Sequence, residues 1–313
     1  MMMHVARRLA MPWTEAQLHA VIGVMLWGMA VAILQPGWSP ALLAFGPLVI
    51  YPLVFEILGP RWTNSRRAST WAFVPALASY AFDQGLVAGA LAMPWLVFAV
   101  GGLVGHFSAD WRARQYALVF IRGYLIVGAA WLVLARLGER PLDFSDAIVH
   151  ATAVHFHFAG FVLPVVALKW AAVATTKWRL LLLAALLGGV PLVAMGITLS
   201  ALGIREVELA SVWCFVAVCV VFAMAQMRLA FALPSTSQRF LLMISSGALI
   251  VAMGLASAYA TASYMQLEGL DIPLMLRTHG PIQVFGFALP GVLAWARLSK
   301  SPLPQTGEGQ GGS

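Results

Sequence analysis

The sequence predicts an all-α polytopic transmembrane helix bundle, on three observations. Of its 313 residues, 61% are hydrophobic and only 10% charged, where a soluble domain carries roughly 25% charged residues. The mean hydropathy is +0.86, and the apolar signal runs along nearly the whole chain instead of forming one anchor. Apolar stretches of spanning length recur between short polar joins, and each helical crossing of a bilayer needs ~20 such residues.

Ten stretches are read: residues 17–34, 40–59, 69–83, 84–105, 115–135, 145–167, 179–202, 208–230, 240–264 and 279–297. The first follows Arg7 and Arg8 and lacks a small-x-small cleavage site, so it reads as a retained helix. The third and fourth are split only by Asp83-Gln84. Merging them gives a nine-span chain and inverts everything that follows. Charge placement selects ten spans with both ends inside. The inner segments then hold Arg7, Arg8, Arg61, Arg66, Arg67, Arg112, Arg114, Lys169, Lys177, Arg179, Arg228, Arg239, Arg297 and Lys300. The outer segments hold only Arg136, Arg140, Arg205 and Arg277, a strong positive-inside bias. Most carboxylates fall on the outer side.

Residues 1–300 are therefore expected to form a single transmembrane domain in a bacterial cytoplasmic membrane. The Gly/Pro-rich residues 301–313 read as a disordered cytoplasmic tail. The net charge of +7 is scattered between apolar runs, so it points to a lipid bilayer as partner and not to nucleic acid. Cys214 and Cys219 lie about 140° apart on a helix, which argues against a disulfide between them.

One internal echo stands out. Gly160-Phe161-Val162-Leu163-Pro164 in the sixth span matches Gly286-Phe287-Ala288-Leu289-Pro290 in the tenth. Both spans run from outside to inside, and the alignment sets His157 opposite Gln283. The glycine permits close helix approach and the proline frees a backbone carbonyl. Duplication and a recurrent packing motif both explain the match.

Histidines carry the candidate chemistry, because ionisable groups inside a membrane are costly and often functional. His150, His155 and His157 share the sixth span; His279 opens the tenth, with Gln283 one turn deeper. His150 and His157 fall within about 20° of each other on one face, and His155 points elsewhere. Asp146, four residues before His150, is placed to hold that imidazole in one tautomer. Three roles fit. Neutral imidazoles of His150, His157 and His279 could ligate a metal ion or haem. The cluster could relay protons or admit a small ligand. Alternatively, each histidine only bonds a neighbouring helix. On the inner side, Glu56 and Arg122 lie at compatible depths, so they read as a buried pair that either satisfies two charges or closes a path. Arg122 has the further option of snorkelling to the inner surface. His4, His19 and His106 read as interfacial. No P-loop, HExxH, CxxC or nucleophile-elbow motif appears.

At His155-Phe-His157-Phe-Ala-Gly-Phe161 and at Thr278-His279-Gly280, Gln283 and Gly286-Phe287, the chain resembles the YndJ-like family of bacterial membrane proteins. The resemblance covers most of the chain and implies a multi-pass protein, sometimes labelled a transporter. The last motif departs from the expected pattern, with Gln283 where Asn is expected. His155-Phe-His157 alone is similar to the HFH element of haem-copper oxidase subunit I, which would imply haem ligation, although the other motifs of that fold are missing. The function expected is transporter-like, with an outer-half histidine site for a proton, metal ion or small ligand. The alternatives are a haem- or metal-dependent membrane oxidoreductase and a non-catalytic accessory subunit.

Overall fold

The structure is a computed structural model and describes residues 14–59, 62–104 and 113–298. Among these residues there is no strand. Ten helical segments follow one another: α1 (Glu15–Leu34), α2 (Trp38–Leu58), α3 (Thr63–Ala78), α4 (Leu86–Val104), α5 (Ala113–Leu137), α6 (Asp146–Val173), α7 (Lys177–Ala201), α8 (Arg205–Ala232), α9 (Thr236–Met265) and α10 (Ile272–Leu298). Eight are long and apolar enough to cross a membrane. The other two, α3 and α4, are the pair that Asp83-Gln84 divides. They form two packed helices joined by a short turn, so this region is not one merged span. The tail 301–313, His4, His106 and the basic residues Arg7, Arg8, Arg61, Arg112 and Lys300 lie outside the described residues.

Hydropathy places helix ends poorly where polar residues form the first turns. Helix α3 begins at Thr63, six residues before its apolar stretch, because Thr63-Asn-Ser-Arg-Arg67 is helical as well. Helix α10 begins at Ile272, where the Asp271 carboxylate accepts the Leu274 N–H at 2.8 Å and a proline occupies the first turn. Both devices start helices in general.

One core runs through the bundle, and α2 is its axis. The apolar window of α2 is 94% buried, against 17% for that of α1, which makes α1 peripheral. Lipid gives apolar faces no reason to leave it, so small residues and polar bonds hold membrane helices together. Gly23 of α1 packs on the carbonyl of Leu48 in α2, and Gly189 and Gly196 of α7 pack on Phe215 and Ser211 of α8. The buried Gln226 of α8 donates to Ser246 of α9 at 3.1 Å. Cys214 and Cys219 are free thiols.

Helices α2, α6 and α10 share an unusual build. Each begins as an α-helix, widens into a π-helical segment and returns to α geometry. The π segments are Gly46–Ile50, Phe156–Val162 and Ile282–Ala288. Each ends two residues before a proline: Pro52, Pro164 and Pro290. A proline cannot donate its N–H and its ring crowds the carbonyl four residues earlier. Widening the helix by one residue relieves that clash, and such π turns recur at functional sites. The echo between the sixth and tenth spans is thus a pair of π turns in the same register. His157 and Gln283 are each the second residue of their segment. A third π turn, in α2, has no matching sequence motif.

Candidate functional site

The structure separates the histidines. His157 is fully buried and both its ring nitrogens are engaged. The Trp95 indole N–H of α4 donates to Nε2 at 2.8 Å. Indole can only donate, so Nε2 is an acceptor and Nδ1 carries the proton, which it gives to the Ala153 carbonyl at 2.7 Å. The rings of Tyr51 and Trp95 lie against the imidazole, and the Tyr51 hydroxyl donates to the His157 carbonyl at 3.1 Å. Gly128 of α5 leaves the ring its space, since a Cβ there would stand 2.7 Å from Nδ1. With no lone pair free and no room beside it, His157 ties α6 to α2, α4 and α5.

His150 lies elsewhere. Sharing a face is not sharing a site, because seven residues of helix separate two side chains by about 10 Å along the axis. His150 packs against Tyr80, ring centroids 6.2 Å apart, and its Nδ1 donates to the Asp146 backbone carbonyl at 3.1 Å. The Asp146 carboxylate does not orient it. Arg140 takes both of those oxygens at 2.9 Å.

His155 faces α10, within electrostatic reach of His279. His279 gives its Nδ1 proton to the Ala252 carbonyl at 2.9 Å, and the buried Nε2 of His155 has no hydrogen-bond partner. Gln283 is half-buried. Thus α6 and α10 meet through His155 and His279, whereas the sequence reading centred their site on His150, His157, His279 and Gln283. The proposed metal set of His150, His157 and His279 does not converge. Among the described residues no three His, Cys, Asp or Glu side chains could hold one ion. The same occupied nitrogens leave His157 without a lone pair for a haem iron.

Of the inner charges, Arg122 meets an aromatic ring. Arg122 is buried, with its guanidinium 3.8 Å over the Trp62 ring, so it does not snorkel. Trp62 stacks on Phe55, and the adjacent Glu56 accepts from the Thr14 hydroxyl at 3.2 Å.

A pocket of about 380 Å³ lies on the side that charge placement makes outer. The first turns of α2, α6 and α10 wall it, and Tyr80 and Arg136 close its floor. Arg136 is 5% exposed. It stacks on Tyr80 and donates to the Ser79 and Phe82 carbonyls, pinning the α3–α4 turn. Three buried polar atoms around this cavity lack partners: Ser39 Oγ, Tyr80 Oη and Arg136 Nε.

Sequence reasoning found His150 and Asp146 here, counted Arg277 among the outer charges, and missed Ser39, Tyr80 and Arg136 as pocket residues. A signal existed. Positive charges are scarce outside, so each outer arginine needs a reason to be there. Arg136 and Arg277 line the pocket, Arg140 holds Asp146 at its rim, and Arg205 bonds the Ser263 carbonyl near the end of α9.

The comparisons with known proteins agree with this architecture. The family model described as YndJ-like protein matches residues 41–287. That range contains the first two π segments and all but the last residue of the third. The uncharacterized membrane protein YndJ of Bacillus subtilis (strain 168) is 25% identical over 228 residues, which are 69% of this chain and 40% of that protein. The match therefore covers about two fifths of that relative's length. No solved structure matches. With the family model covering most of the chain, the protein belongs to the YndJ-like family of membrane proteins.

Proposed function

We propose that this protein is a transporter-like protein of the bacterial cytoplasmic membrane whose outer pocket, beside His150, takes a small ligand. The observation that carries this reading is the cavity itself, with unpartnered Ser39, Tyr80 and Arg136 atoms around it. Buried polar groups are ordinarily satisfied, so three orphans at one cavity favour an occupant that supplies the partners. The broken helices give the pocket a means to change. The outer halves of α2, α6 and α10 pack on one another, and each joins its inner half through a π turn and a proline. Discontinuous helices around a mid-membrane site are a recurrent transporter device.

His155 and His279 sit between α6 and α10, below His150 along α6, and serve as the proton-handling pair in this reading. His157 and Gln283 hold the π layer. On the inner side, the stack of Arg122, Trp62 and Phe55 beside Glu56 is the closure.

Reconstituted full-length protein in proteoliposomes tests this. Saturable solute flux, lost in His150→Ala while the protein keeps its fold, is the expected result. Flux that is absent for every solute bound by the wild type would overturn the transport reading.

A further inference from the structure

We propose that the outer pocket selects a small organic anion of single charge, a carboxylate with an apolar body. This rests on the pocket reading above and adds the chemistry of its ligand.

Three independent features point to negative charge. The first is the uncapped N-terminus of α2, which opens beside the first turns of α6 and α10; the α10 end is already capped by Asp271 and the α6 first turn carries Asp146. Trp38 and Ser39 at the start of α2, Asp146 and His150 at the start of α6, and Pro273 and Arg277 at the start of α10 contribute to the wall. Helix N-termini present free N–H groups and positive dipole ends, and therefore bind anions. The N-cap of α2 is Gly37, with φ 84° and no side-chain cap. The N–H groups of Trp38 and Ser39 thus have no side-chain cap.

The second feature is the charge inventory. Asp146 is matched by Arg140 through two hydrogen bonds. Arg136 feels Asp83 from the α3–α4 turn. Arg277 is exposed on the pocket wall, with no ion pair among the described residues. One positive charge is left over, which suits a single negative charge.

The third feature is the set of orphan atoms. Ser39 Oγ, Tyr80 Oη and Arg136 Nε are donors without acceptors, and Ser39 and Arg136 are more than nine-tenths buried. A carboxylate has two oxygens and about four lone-pair sites, and it donates nothing. The remaining wall, including Trp38, Pro40 and Leu276, is apolar and suits a hydrocarbon portion.

Full-length protein in lipid nanodiscs provides the test, by titration calorimetry and thermal midpoint. The probes are acetate, propanoate, benzoate, inorganic phosphate, methylammonium and glycerol. At least one carboxylate is expected to bind saturably, with affinity falling roughly tenfold in Arg277→Gln, the loss of one charge-assisted contact. Ser39→Ala, a small change at the floor of the N-terminus, is expected to weaken the same probe. Phosphate bound in preference to every carboxylate would overturn the single-charge assignment. Saturable methylammonium or glycerol binding that Tyr80→Phe weakens would overturn the anion and leave the pocket reading standing. Binding by no probe, in protein that melts cooperatively, would overturn both.

Discussion

The π layer and the outer pocket are built from the same three helices and treat their polar groups in opposite ways. In the π layer the buried imidazole and two backbone carbonyls are matched. His157 uses both ring nitrogens, Tyr51 reaches the His157 carbonyl, and Ser245 donates to the Phe287 carbonyl at 2.9 Å. In the pocket, one to two turns nearer the outer surface, three buried donors are left open. Irregular backbone inside a membrane is tolerated only when its polar groups find partners or line a cavity. The π layer takes the first course and the pocket the second. Histidine content alone therefore does not locate a site; the unsatisfied partners do.

The sharpest break of this contrast is His157→Ala. It removes a buried ring and orphans the Trp95 N–H, so a loss of about 3 kcal/mol is expected in the unfolding midpoint. A variant as stable as wild type would return His157 to the functional candidates. Next comes Gly128→Ala. The new methyl would meet His157 Nδ1 and Phe156 Cβ, and overpacking of this kind costs about 1–3 kcal/mol; denaturant titration reads it. Ser245→Ala leaves one carbonyl unmatched in the α10 π turn and is expected to cost about 1 kcal/mol by the same titration. The smallest effect on stability belongs to Arg277→Gln, within about 0.5 kcal/mol, because Arg277 is exposed. A large destabilisation there would make Arg277 a structural residue and weaken its place in the pocket.

Much of the fold was legible in the sequence, for a physical reason. Each crossing must be long, apolar and helical, so composition and period suffice to find it. Charge bias then separated α3 from α4 at Asp83-Gln84, where length alone was ambiguous. The π turns of α6 and α10 left a trace in Gly-Phe-x-Leu-Pro, where proline favours the widening and glycine admits the neighbour; proline alone does not force it, since Pro75, Pro94 and Pro191 lie in helices without a π segment. Gly160 lies against Tyr124, and Gly286 against Ala248. The α2 turn left less, since Gly46 and Pro52 are spaced differently. The candidate site was legible only at His150 and Asp146. Angular position along α6 put His150 with His157, but axial separation parts them. Pairing His155 with His279 depends on how α6 and α10 pack, which no single-helix pattern contains. Arg136 and Tyr80 come from the ends of α5 and α3, and only the tertiary fold brings them under α2.

Thiol labelling tests the contrast between closed layer and open pocket most directly. In a Cys214→Ser background, which removes the exposed native thiol, Trp38→Cys reports the pocket, whose wall Trp38 lines as an exposed residue, and Ser245→Cys reports the π layer. A membrane-impermeant maleimide is added to the outer face of intact cells. The account predicts that position 38 reacts within minutes and is protected by a bound carboxylate, while position 245 reacts only after denaturation. A thiol at position 38 that reacts only from the inner face, or a thiol at position 245 that reacts as fast, would contradict it.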